Sequence, residues 1–381
     1  MKIIQKELAF LARWVISRFR PYVIGVSGSV GKTTTKYFIG ELLSSAKDGV
    51  RSSTGNLNTE TGLPLAILGY KSAPRTALDW VMVFISAPIK AIFTFNYPKY
   101  IVLEYAADKP GDIKYLTSIV EPDVAVITSL GVAHLEKFKD EKAIAREKWN
   151  LALSAKEAVV INKKVSEKVQ DLDEPKADLY ILPSIKMAKA ENVNFFTNRS
   201  EFDFYLANKK FQAIFAYLGN HNIENLELAA FAAHLASGEV DLIVKAIKDL
   251  TPQDGRGRRF VGKKDVIVLD ESYNANPASM RAALEIIEGL QGGRKVAVIG
   301  EMKEIGSLTE ESHRQIAKEA GRICDIVIGV GTNYKDVNLD RWYPSVSELE
   351  QEIVEIIEPG DIILVKGSRS NKLDRIVELL K

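Results

Sequence analysis

The hydrophobic residues of this chain form short continuous runs that alternate with helical stretches. In the first half, β-branched runs lie at 22–27, 100–105, 123–129 and 158–162. Between them, helical segments begin near Lys32, Asp112 and Glu141. Short apolar runs without polar alternation are typical of parallel strands that are buried on both faces. The pattern therefore predicts a doubly wound α/β domain with a mostly parallel sheet.

A second α/β unit follows a turn-rich, basic stretch at 251–259, TPQDGRGRR. We therefore predict a central domain at 21–252 and a smaller, Rossmann-like α/β C-terminal domain at 253–381. Within the central domain, residues 163–215 are less regular and are expected to form peripheral strands. An Ala/Leu-rich stretch at 223–236 predicts a long helix.

Two segments raise the question of a membrane. Residues 1–20 predict an N-terminal amphipathic helix rather than a signal peptide, because charged residues interrupt the apolar run. An apolar insertion at 71–99 contains the more apolar stretch 78–95, which is short for a span and includes Asp79 and Lys90. For 78–95 we expect a helix buried against the body of the protein, with peripheral membrane contact as the alternative.

The amino-acid composition indicates which cellular compartment and which classes of binding partner suit this protein. Of 381 residues, 46% are hydrophobic and 27% are charged, which is typical of a globular protein. The 51 basic and 50 acidic residues leave a net charge of +1, so the chain lacks the basic field that nucleic-acid binding needs. Cys324 is the only cysteine of the sequence, which excludes an internal disulfide and a Cys-based zinc site and indicates a cytoplasmic protein.

The segment GVSGSVGKTTT at 25–35 follows a predicted strand and opens a predicted helix. Glycines let backbone N–H groups close around phosphate oxygens, and a helix N-terminus favours an anion. In such a P-loop, Lys32 reaches the β- and γ-phosphates and the Thr33 hydroxyl ligates Mg²⁺. The same cradle includes Gly28, Ser29, Gly31 and Thr34. The loop alone does not name a reaction, and a small-molecule kinase or NTPase would also carry it.

Further segments, in the same order along the chain, resemble the Mur ligase family. They are GNLNTETGLPL (55–65), ADKPGDI (107–113), HLE (134–136), IAREK (144–148), GNHNIEN (219–225), DESYNANP (270–277), GEMKEIG (300–306) and VKGSR (365–369). Each segment is a weak signal, whereas the ordered set is specific and runs from about residue 22 to the end. The resemblance is greatest to the branch that adds D-alanyl-D-alanine to a peptidoglycan-precursor peptide. It implies an ATP-dependent amide ligase that activates a carboxylate as an acyl phosphate.

The resemblance implies the catalytic residues Lys32, Glu104, His134 and Lys148. Glu104 ends an apolar strand, where its oxygen atoms can hold Mg²⁺ together with Thr33. His134 resembles the family's ligand to a second metal ion, and Lys148 resembles the lysine that carries a carbamate. The implied cofactors are ATP, two Mg²⁺ ions and CO₂ as the lysine carbamate. The alternatives from the residues alone are a packed histidine and an ordinary helix lysine.

The resemblance also implies residues that contact the nucleotide, in a helix start, in the interdomain turn and in the C-terminal domain. They are His221, Asn222, Asn225, Arg256, Asp270, Tyr273, Asn274 and Asn276. An asparagine at a helix start can equally be a helix cap. The implied substrate contacts are Asn56, Asn58, Lys366, Ser368 and Arg369, of which the two cations suit the carboxylate of the amine component.

The sequence departs from the family pattern at its front. Family members carry a separate N-terminal domain that grips the UDP-sugar, whereas here one predicted helix precedes the phosphate loop at Gly25. We expect the donor to be bound by residues 71–99 or by a partner chain. Alternatively, the donor is a different acid, for example a lipid-borne one. The competing hypotheses are a P-loop kinase or NTPase and a Mur-like subunit without catalytic activity. The full set of predicted catalytic residues argues against an inactive subunit.

Overall fold

The structure is a computed structural model that describes residues 2–55, 57–131 and 137–381. Its α-helices are α1 (Lys2–Phe19), α2 (Lys32–Ala46), α3 (Gly62–Ile67), α4 (Ala77–Phe93), α5 (Asp112–Thr117), α6 (Glu141–Leu153), α7 (Lys163–Lys168), α8 (Asn220–Ser237), α9 (Asp241–Ala246), α10 (Pro277–Gly289), α11 (Thr309–Ile323), α12 (Val346–Ile356) and α13 (Asp374–Leu380). Its β-strands are β1 (Tyr22–Ser27), β2 (Val50–Ser52), β3 (Tyr100–Glu104), β4 (Val124–Ile127), β5 (Ala158–Asn162), β6 (Asp178–Leu182), β7 (Ala188–Phe195), β8 (Ser200–Leu206), β9 (Lys209–Phe215), β10 (Arg258–Val261), β11 (Ile267–Glu271), β12 (Lys295–Gly300), β13 (Ile326–Val330), β14 (Arg341–Tyr343) and β15 (Ile362–Lys366).

The first half of the chain is built on a six-stranded sheet with the order β2-β3-β1-β4-β5-β6, in which every neighbouring pair is parallel. The strands β1, β3, β4 and β5 coincide with the four apolar runs of the sequence. Successive residues of each strand face two separate cores, as the pleat requires. Val23 packs with residues of α1, α5 and α6 on one face, and Ile24 packs with residues of α2 and α8 on the other. The predicted doubly wound sheet is confirmed.

The helices α2, α5 and α6 begin at Lys32, Asp112 and Glu141, as the sequence predicts. The α6 start is fixed by Asp140, whose carboxylate accepts a hydrogen bond from the Ala143 N–H at 2.7 Å. Because these helices follow strands of a parallel sheet, their N-termini lie at the carboxyl edge of that sheet. This edge is where ligands of doubly wound folds bind.

The second half contains another six-stranded sheet with the order β10-β11-β15-β12-β13-β14. β10 runs antiparallel to β11, and the remaining neighbours are parallel. α10 and α11 contribute to the core on one face of this sheet, and α12 and α13 contribute to the core on the other. The fold class, an α/β P-loop unit followed by a smaller Rossmann-like α/β unit, is confirmed.

The less regular region at 163–215 forms strands, as expected. β6 extends the edge of the first sheet beside β5, and β7, β8 and β9 form a separate antiparallel sheet. Phe204 and Phe215 of that small sheet pack into the core that contains α8. The helix α8 is longer than predicted, because it begins at Asn220 rather than near 223.

The apolar insertion forms α4, which packs only one of its faces on the protein. Val83, Ala87 and Ala91 are buried, while Leu78, Ile85 and other large apolar side chains are exposed. The expectation that this segment is buried is therefore wrong for its outer face. Among the described residues, no helix is long and apolar enough to cross a membrane.

Candidate active site

The phosphate loop connects β1 to α2 and is held by the segment that follows β4. The Ser29 N–H donates to the Ser129 carbonyl at 2.9 Å, and the Val30 N–H donates to the Ser129 hydroxyl at 2.8 Å. The Ser29 hydroxyl donates to the Gly131 carbonyl at 2.9 Å. These contacts come from a neighbouring strand end, so the shape of the loop is fixed by the sheet rather than by the loop alone.

Two glycines of the loop are needed where other groups approach closely. A Cβ at Gly28 would lie 2.1 Å from the Thr128 hydroxyl oxygen. A Cβ at Gly31 would lie 2.6 Å from the Asn225 Oδ1, and Gly31 has a φ of +87°, in the left-handed region that favours glycine. Asn225 of α8, predicted to contact the nucleotide, therefore lies directly against the phosphate loop.

Lys32 at the start of α2 is held within the loop, where its ammonium group donates to the Gly28 carbonyl at 2.7 Å. Burial lowers the pKa of Lys32, and the nearby Glu104 partly opposes that shift. Lys32 is half-buried, and its acceptors are the carbonyls of Gly28 and, at 3.4 Å, Ser29. It can exchange them for a phosphate oxygen, which is a stronger, charge-assisted acceptor.

Glu104 at the end of β3 is the centre of a buried polar cluster. The parallel register of β1 and β3 pairs it with Val26, one residue before the end of β1. Its Oε2 accepts a hydrogen bond from the Thr33 hydroxyl at 3.0 Å, and its Oε1 accepts one from the Asn58 amide at 2.9 Å. The ammonium group of Lys36 lies 3.2 Å from Oε2. The structure thus brings together Thr33, Glu104 and Asn58, and it adds Lys36, which the sequence did not single out.

The pKa of Glu104 is shifted below its ordinary value by this surrounding. Burial by itself raises the pKa, but Lys36, Lys32 and the Asn58 amide lower it by more. The carboxylate is therefore kept ionised in a dry site. Thr33 and Glu104 offer a hydroxyl and a carboxylate oxygen in mutual contact, which are the hard oxygen ligands that Mg²⁺ prefers. The residues that are present fit a magnesium ion.

Lys148 in the middle of α6 is almost completely buried, with 1% of its surface exposed. Its pKa is lowered to about 7, mainly by burial and in addition by the charge of Lys32, while Asp108, Glu147 and Glu104 oppose the shift. The influence of Lys32 and Glu104 shows that α6 brings Lys148 to the same site as the phosphate loop. A lysine in this state carries a large neutral fraction near pH 7, so it is not the exposed helix lysine of the alternative interpretation.

Glu147, which precedes Lys148, is a positioning residue that the sequence did not single out. Its carboxylate accepts hydrogen bonds from the Gly111 N–H at 2.9 Å and the Ile113 N–H at 2.7 Å. It therefore satisfies the free N–H groups at the start of α5. This clamp fixes the ADKPGDI segment, including Asp108, beside Lys148.

The start of α8 presents the predicted His221 and Asn222. Burial, with the charge of Lys366, lowers the pKa of His221 to about 4, so its ring is neutral near pH 7. Among the described residues, its buried Nδ1 has no hydrogen-bond partner. The Asn222 amide donates to the Leu218 carbonyl at 2.8 Å, so its N–H group serves the helix start instead.

In the second half, several predicted nucleotide contacts make internal hydrogen bonds. The Asp270 carboxylate accepts from the Gly255 N–H at 2.8 Å and from the Ser272 hydroxyl at 2.6 Å, which ties the interdomain turn to β11. Asn276 caps α10 by accepting from the Ser279 N–H at 2.9 Å. Asn274 accepts from the Ala275 N–H at 2.9 Å. These contacts are structural and leave the asparagine amide N–H groups as the donors for a ligand.

Tyr273 lies between the two predicted cations of this region. The guanidinium carbon of Arg256 is 4.0 Å from the centre of the Tyr273 ring, and that of Arg369 is 5.1 Å from it. Such cation–π contacts hold an arginine in place while leaving its N–H groups free to bind an anion. The structure therefore brings Arg256, Tyr273 and Arg369 into one group.

Lys366 ends β15, Ser368 follows it, and both are buried. The Lys366 ammonium group lies 3.4 Å from Glu271 and donates to the Asn274 carbonyl at 3.0 Å, and burial lowers its pKa. The Ser368 hydroxyl accepts a hydrogen bond from the Lys303 N–H at 3.0 Å. Both side chains hold the loops after β11 and β12, and their contact with substrate remains a prediction.

A cavity of about 400 Å³ separates the phosphate loop from the C-terminal unit. Its walls combine the predicted residues of both halves with a lysine and a glutamate of the GEMKEIG segment. They are Ser29, Lys32, Tyr273, Asn274, Ala275, Asn276, Lys303, Glu304, Ser368, Arg369 and Ser370. Lys303 and Glu304 belong to a segment that the sequence marked but did not resolve into single residues.

Two predicted residues lie outside the described part of the chain. They are His134, the predicted second metal ligand, and Asn56, a predicted substrate contact. Both remain predictions.

Comparison with known proteins identifies the arrangement. Residues 26–233 match the family model of the Mur ligase middle domain, and residues 255–369 match that of the Mur ligase, glutamate ligase domain. The chain belongs to the Mur ligase family. The resemblance of the ordered motifs is thereby confirmed. A Mur ligase, not a P-loop kinase, accounts for both halves of the cavity, because both halves match ligase domains.

Similar Mur ligases cover nearly the whole chain. It is 28% identical to the UDP-N-acetylmuramoyl-tripeptide–D-alanyl-D-alanine ligase of Borreliella burgdorferi, over 99% of this chain and 78% of that protein. It is 29% identical to the ligase of the same name from Bacillus subtilis, over 97% of this chain and 78% of that protein. Among solved structures, MurF ligase from Thermotoga maritima in complex with ADP has a TM-score of 0.83 and 26% identity, and the match covers 99% of this chain and 83% of that one.

Proposed function

We propose that this Mur ligase uses ATP to join the carboxylate of a peptidoglycan-precursor peptide to the amine of D-alanyl-D-alanine or a similar dipeptide. The observation that carries the proposal is the cluster of Lys32, Thr33, Glu104 and Lys148 at the carboxyl edge of the central sheet. Lys32 of this cluster lines one cavity together with Tyr273 and Arg369 of the C-terminal unit. The name shared by the Borreliella and Bacillus relatives supports the choice of substrates.

The proposed reaction has two steps. The donor carboxylate attacks the γ-phosphorus of ATP, ADP leaves, and an acyl phosphate forms. The amine then attacks the acyl carbon, the C–O bond to phosphate breaks, and the amide and inorganic phosphate are released. Carboxylate and triphosphate repel each other, so the first step needs positive charge near the transferred group, and Lys32 supplies it at the phosphate loop.

Magnesium, when bound, supplies further charge neutralisation for the phosphates. Thr33 and Glu104 would hold it, since their oxygen atoms already meet. We further propose that the neutral Nζ of Lys148 attacks CO₂ and loses a proton to give a carbamate, an anion that can position a second Mg²⁺ together with His134. Burial of Lys148 supports this role, because it favours the neutral amine that can react.

We propose that the ATP phosphates lie on the phosphate loop and that the adenine base approaches His221 and Asn225 at the start of α8. Arg256 and Arg369, held by the ring of Tyr273, would bind phosphate and the carboxylate of the amine component. On this proposal, residues 21–252 and 253–381 act as two domains that close over the substrates, with the turn at 251–257 as the hinge. A smaller radius of gyration in the presence of a non-hydrolysable ATP analogue and dipeptide would support closure, and an unchanged radius would contradict it.

The substrates are tested by a matrix of donors with and without UDP against single amino acids and dipeptides, scored by phosphate release. We expect release to require both a donor acid and D-alanyl-D-alanine. Preference for a single amino acid would overturn the dipeptide assignment, and release without any amine would overturn the ligase. Strict dependence on UDP would indicate that the UDP group is bound by this chain, for example at residues 71–99, or by a partner chain. Turnover of a donor without UDP would favour a lipid-borne or other acid.

A further inference from the structure

The outer face of α4 is an exposed apolar stripe without a charged residue. Its side chains repeat at helical spacing and are each 51 to 71% exposed. They are Leu78, Val81, Met82, Ile85, Ile89, Ile92 and Phe93. At 100° per residue these seven positions fall within an arc of about 120°. The two charged residues of the helix, Asp79 and Lys90, lie outside that arc at one of its flanks. A contiguous exposed apolar surface of this kind marks an interaction surface.

The opposite face of α4 is anchored, so the stripe has a fixed orientation. Val83, Ala87 and Ala91 are buried against the protein. Tyr70 and Ser86 hydrogen-bond through their hydroxyls at 2.6 Å, and the Lys90 ammonium group lies 3.8 Å from the centre of the Tyr70 ring. A capping box between Thr76 and Asp79 fixes the start of the helix. The outer stripe is therefore a built surface.

The neighbouring helix α1 extends the apolar surface with aromatic residues. Phe10 is 65% exposed and Trp14 is 38% exposed. The Arg18 guanidinium carbon lies 5.3 Å from the centre of the Trp14 ring, and the same group donates to the Ile92 carbonyl at 2.8 Å. Arg18 therefore joins the Trp14 side of α1 to the C-terminal end of the α4 stripe.

The segments that carry this surface are strongly basic. Residues 1–20 and 71–99 together contain nine lysines and arginines and two acidic residues, a net charge of +7. Because the whole chain has a net charge of +1, the remaining residues carry −6. The net positive charge of the protein is thus concentrated in the two segments that carry this apolar surface.

We propose that the α4 stripe docks on the surface of an anionic phospholipid bilayer, with α4 lying in the plane of the interface. A basic border around an apolar helix face is complementary to anionic headgroups over acyl chains. A second copy of the same chain would bring two net-positive borders together. The 17-residue helix with an internal Pro88 fits an interfacial position rather than a spanning one. This inference does not rest on the proposed ligase reaction.

The full-length protein is tested by flotation with phosphatidylcholine vesicles and with vesicles of phosphatidylcholine and phosphatidylglycerol at a ratio of about 7:3. We expect flotation with the anionic vesicles, at least about tenfold stronger than with the neutral ones, and weaker as salt is raised. The double variant I85E/I89E should lose binding by at least about tenfold, because it places two charges in the apolar stripe. The variant K71Q/R75Q, which alters the basic border alone, should weaken binding to anionic vesicles only.

Ile214→Glu is the matched control, because Ile214 is a 52% exposed isoleucine on β9, away from the stripe. It should float as the unchanged protein does. Circular dichroism and thermal melting show whether each variant is folded. The proposal is overturned if the folded protein does not float with anionic vesicles, or if I85E/I89E floats as well as Ile214→Glu. A dimer that becomes monomeric in I85E/I89E, without vesicle binding, would identify a second copy as the occupant.

Discussion

The ammonium group of Lys36 lies 3.2 Å from the Oε2 atom of Glu104, and both side chains are buried. The same oxygen accepts the Thr33 hydroxyl at 3.0 Å. Lys36 is thus one turn along α2 from the residue that shares its acceptor. Its charge is the largest of the contributions that lower the pKa of Glu104 against the opposing effect of burial. Lys36 therefore keeps ionised the carboxylate that we propose as the ligand of Mg²⁺.

We predict that Lys36→Met lowers the free energy of unfolding by about 3–5 kcal/mol, because breaking a buried ion pair leaves a charge without its partner. Chemical denaturation measures this loss. Magnesium with nucleotide should raise the melting temperature more in Lys36→Met than in the unchanged protein, since the cation replaces the missing charge. The double variant Lys36→Met/Glu104→Gln is the control and should recover part of the stability. Equal stability of the single variant and the unchanged protein would contradict the role of Lys36.

We predict that Lys32→Ala and Glu104→Ala each lower kcat by on the order of 10²-fold or more, because charge that develops on the phosphates loses a fixed counter-charge. Steady-state phosphate release at saturating ATP and Mg²⁺ measures the effect. Lys245→Ala, a change at an exposed lysine of α9, should leave kcat unchanged. Near-full turnover in either site variant would remove that residue from the proposed catalytic group.

Glu227 of α8 gives a pH prediction for stability. Burial raises its pKa to about 8, although the Ala190 N–H donates to its carboxyl group at 2.7 Å. Because the pKa is higher in the folded protein than in the unfolded chain, the folded protein binds more protons between about pH 4.5 and pH 8. Its contribution to stability is present below the lower value and is lost as the pH rises through the higher one.

We therefore expect Glu227→Gln to be more stable than the unchanged protein at pH 8.5, by roughly 2–4 kcal/mol, and to lose less stability between pH 5 and pH 8. The glutamine oxygen can still accept the Ala190 N–H. Denaturant unfolding across that pH range measures the difference. The same change at Glu285, which is exposed on α10, should have little effect. Parallel pH profiles of Glu227→Gln and the unchanged protein would exclude this ionisation as the cause.

The parts of the fold that the sequence predicted are those with local signals. The phosphate loop, the four apolar strands and the starts of α2, α5 and α6 each have a pattern within a few residues. β2 and β14, each three residues long, are too short to show a period and were missed. α4 was expected to be buried because apolar residues usually are, and its exposed face shows a tertiary arrangement that hydropathy does not encode.

The residues of the site likewise divide into those with a local sequence signal and those without one. Lys36 and Glu147 could not be found from the sequence, because their roles depend on how α2 meets β3 and how α6 meets α5. Asp270 and Asn276 show the opposite case, in which a motif residue makes a cap or a turn contact. Capping and ligand binding use the same side chains, so spacing alone does not separate them.

The buried Lys148 gives a prediction that separates a carbamate from a structural lysine. Lys148→Ala should be nearly inactive, and a small carboxylate such as formate should partly restore turnover by filling the vacated space with an anion. Lys148→Arg should stay inactive, because a guanidinium group remains charged and does not take up CO₂. Phosphate release with and without added formate measures all three proteins.

The carbamate on Lys148 can also be detected by a measurement that does not depend on turnover. In ¹³C-bicarbonate, the unchanged protein should show a carbamate carbon signal by NMR that Lys148→Ala lacks. Burial lowers the Lys148 pKa to about 7, so lowering the pH below that value protonates the amine and should weaken the signal. Lys142→Ala is the matched control, because Lys142 is exposed on the same helix, and it should keep both the signal and the activity. Full activity of Lys148→Ala, or a signal that persists in it, would show that Lys148 carries no carbamate, and the buried amine would then be a structural feature of α6.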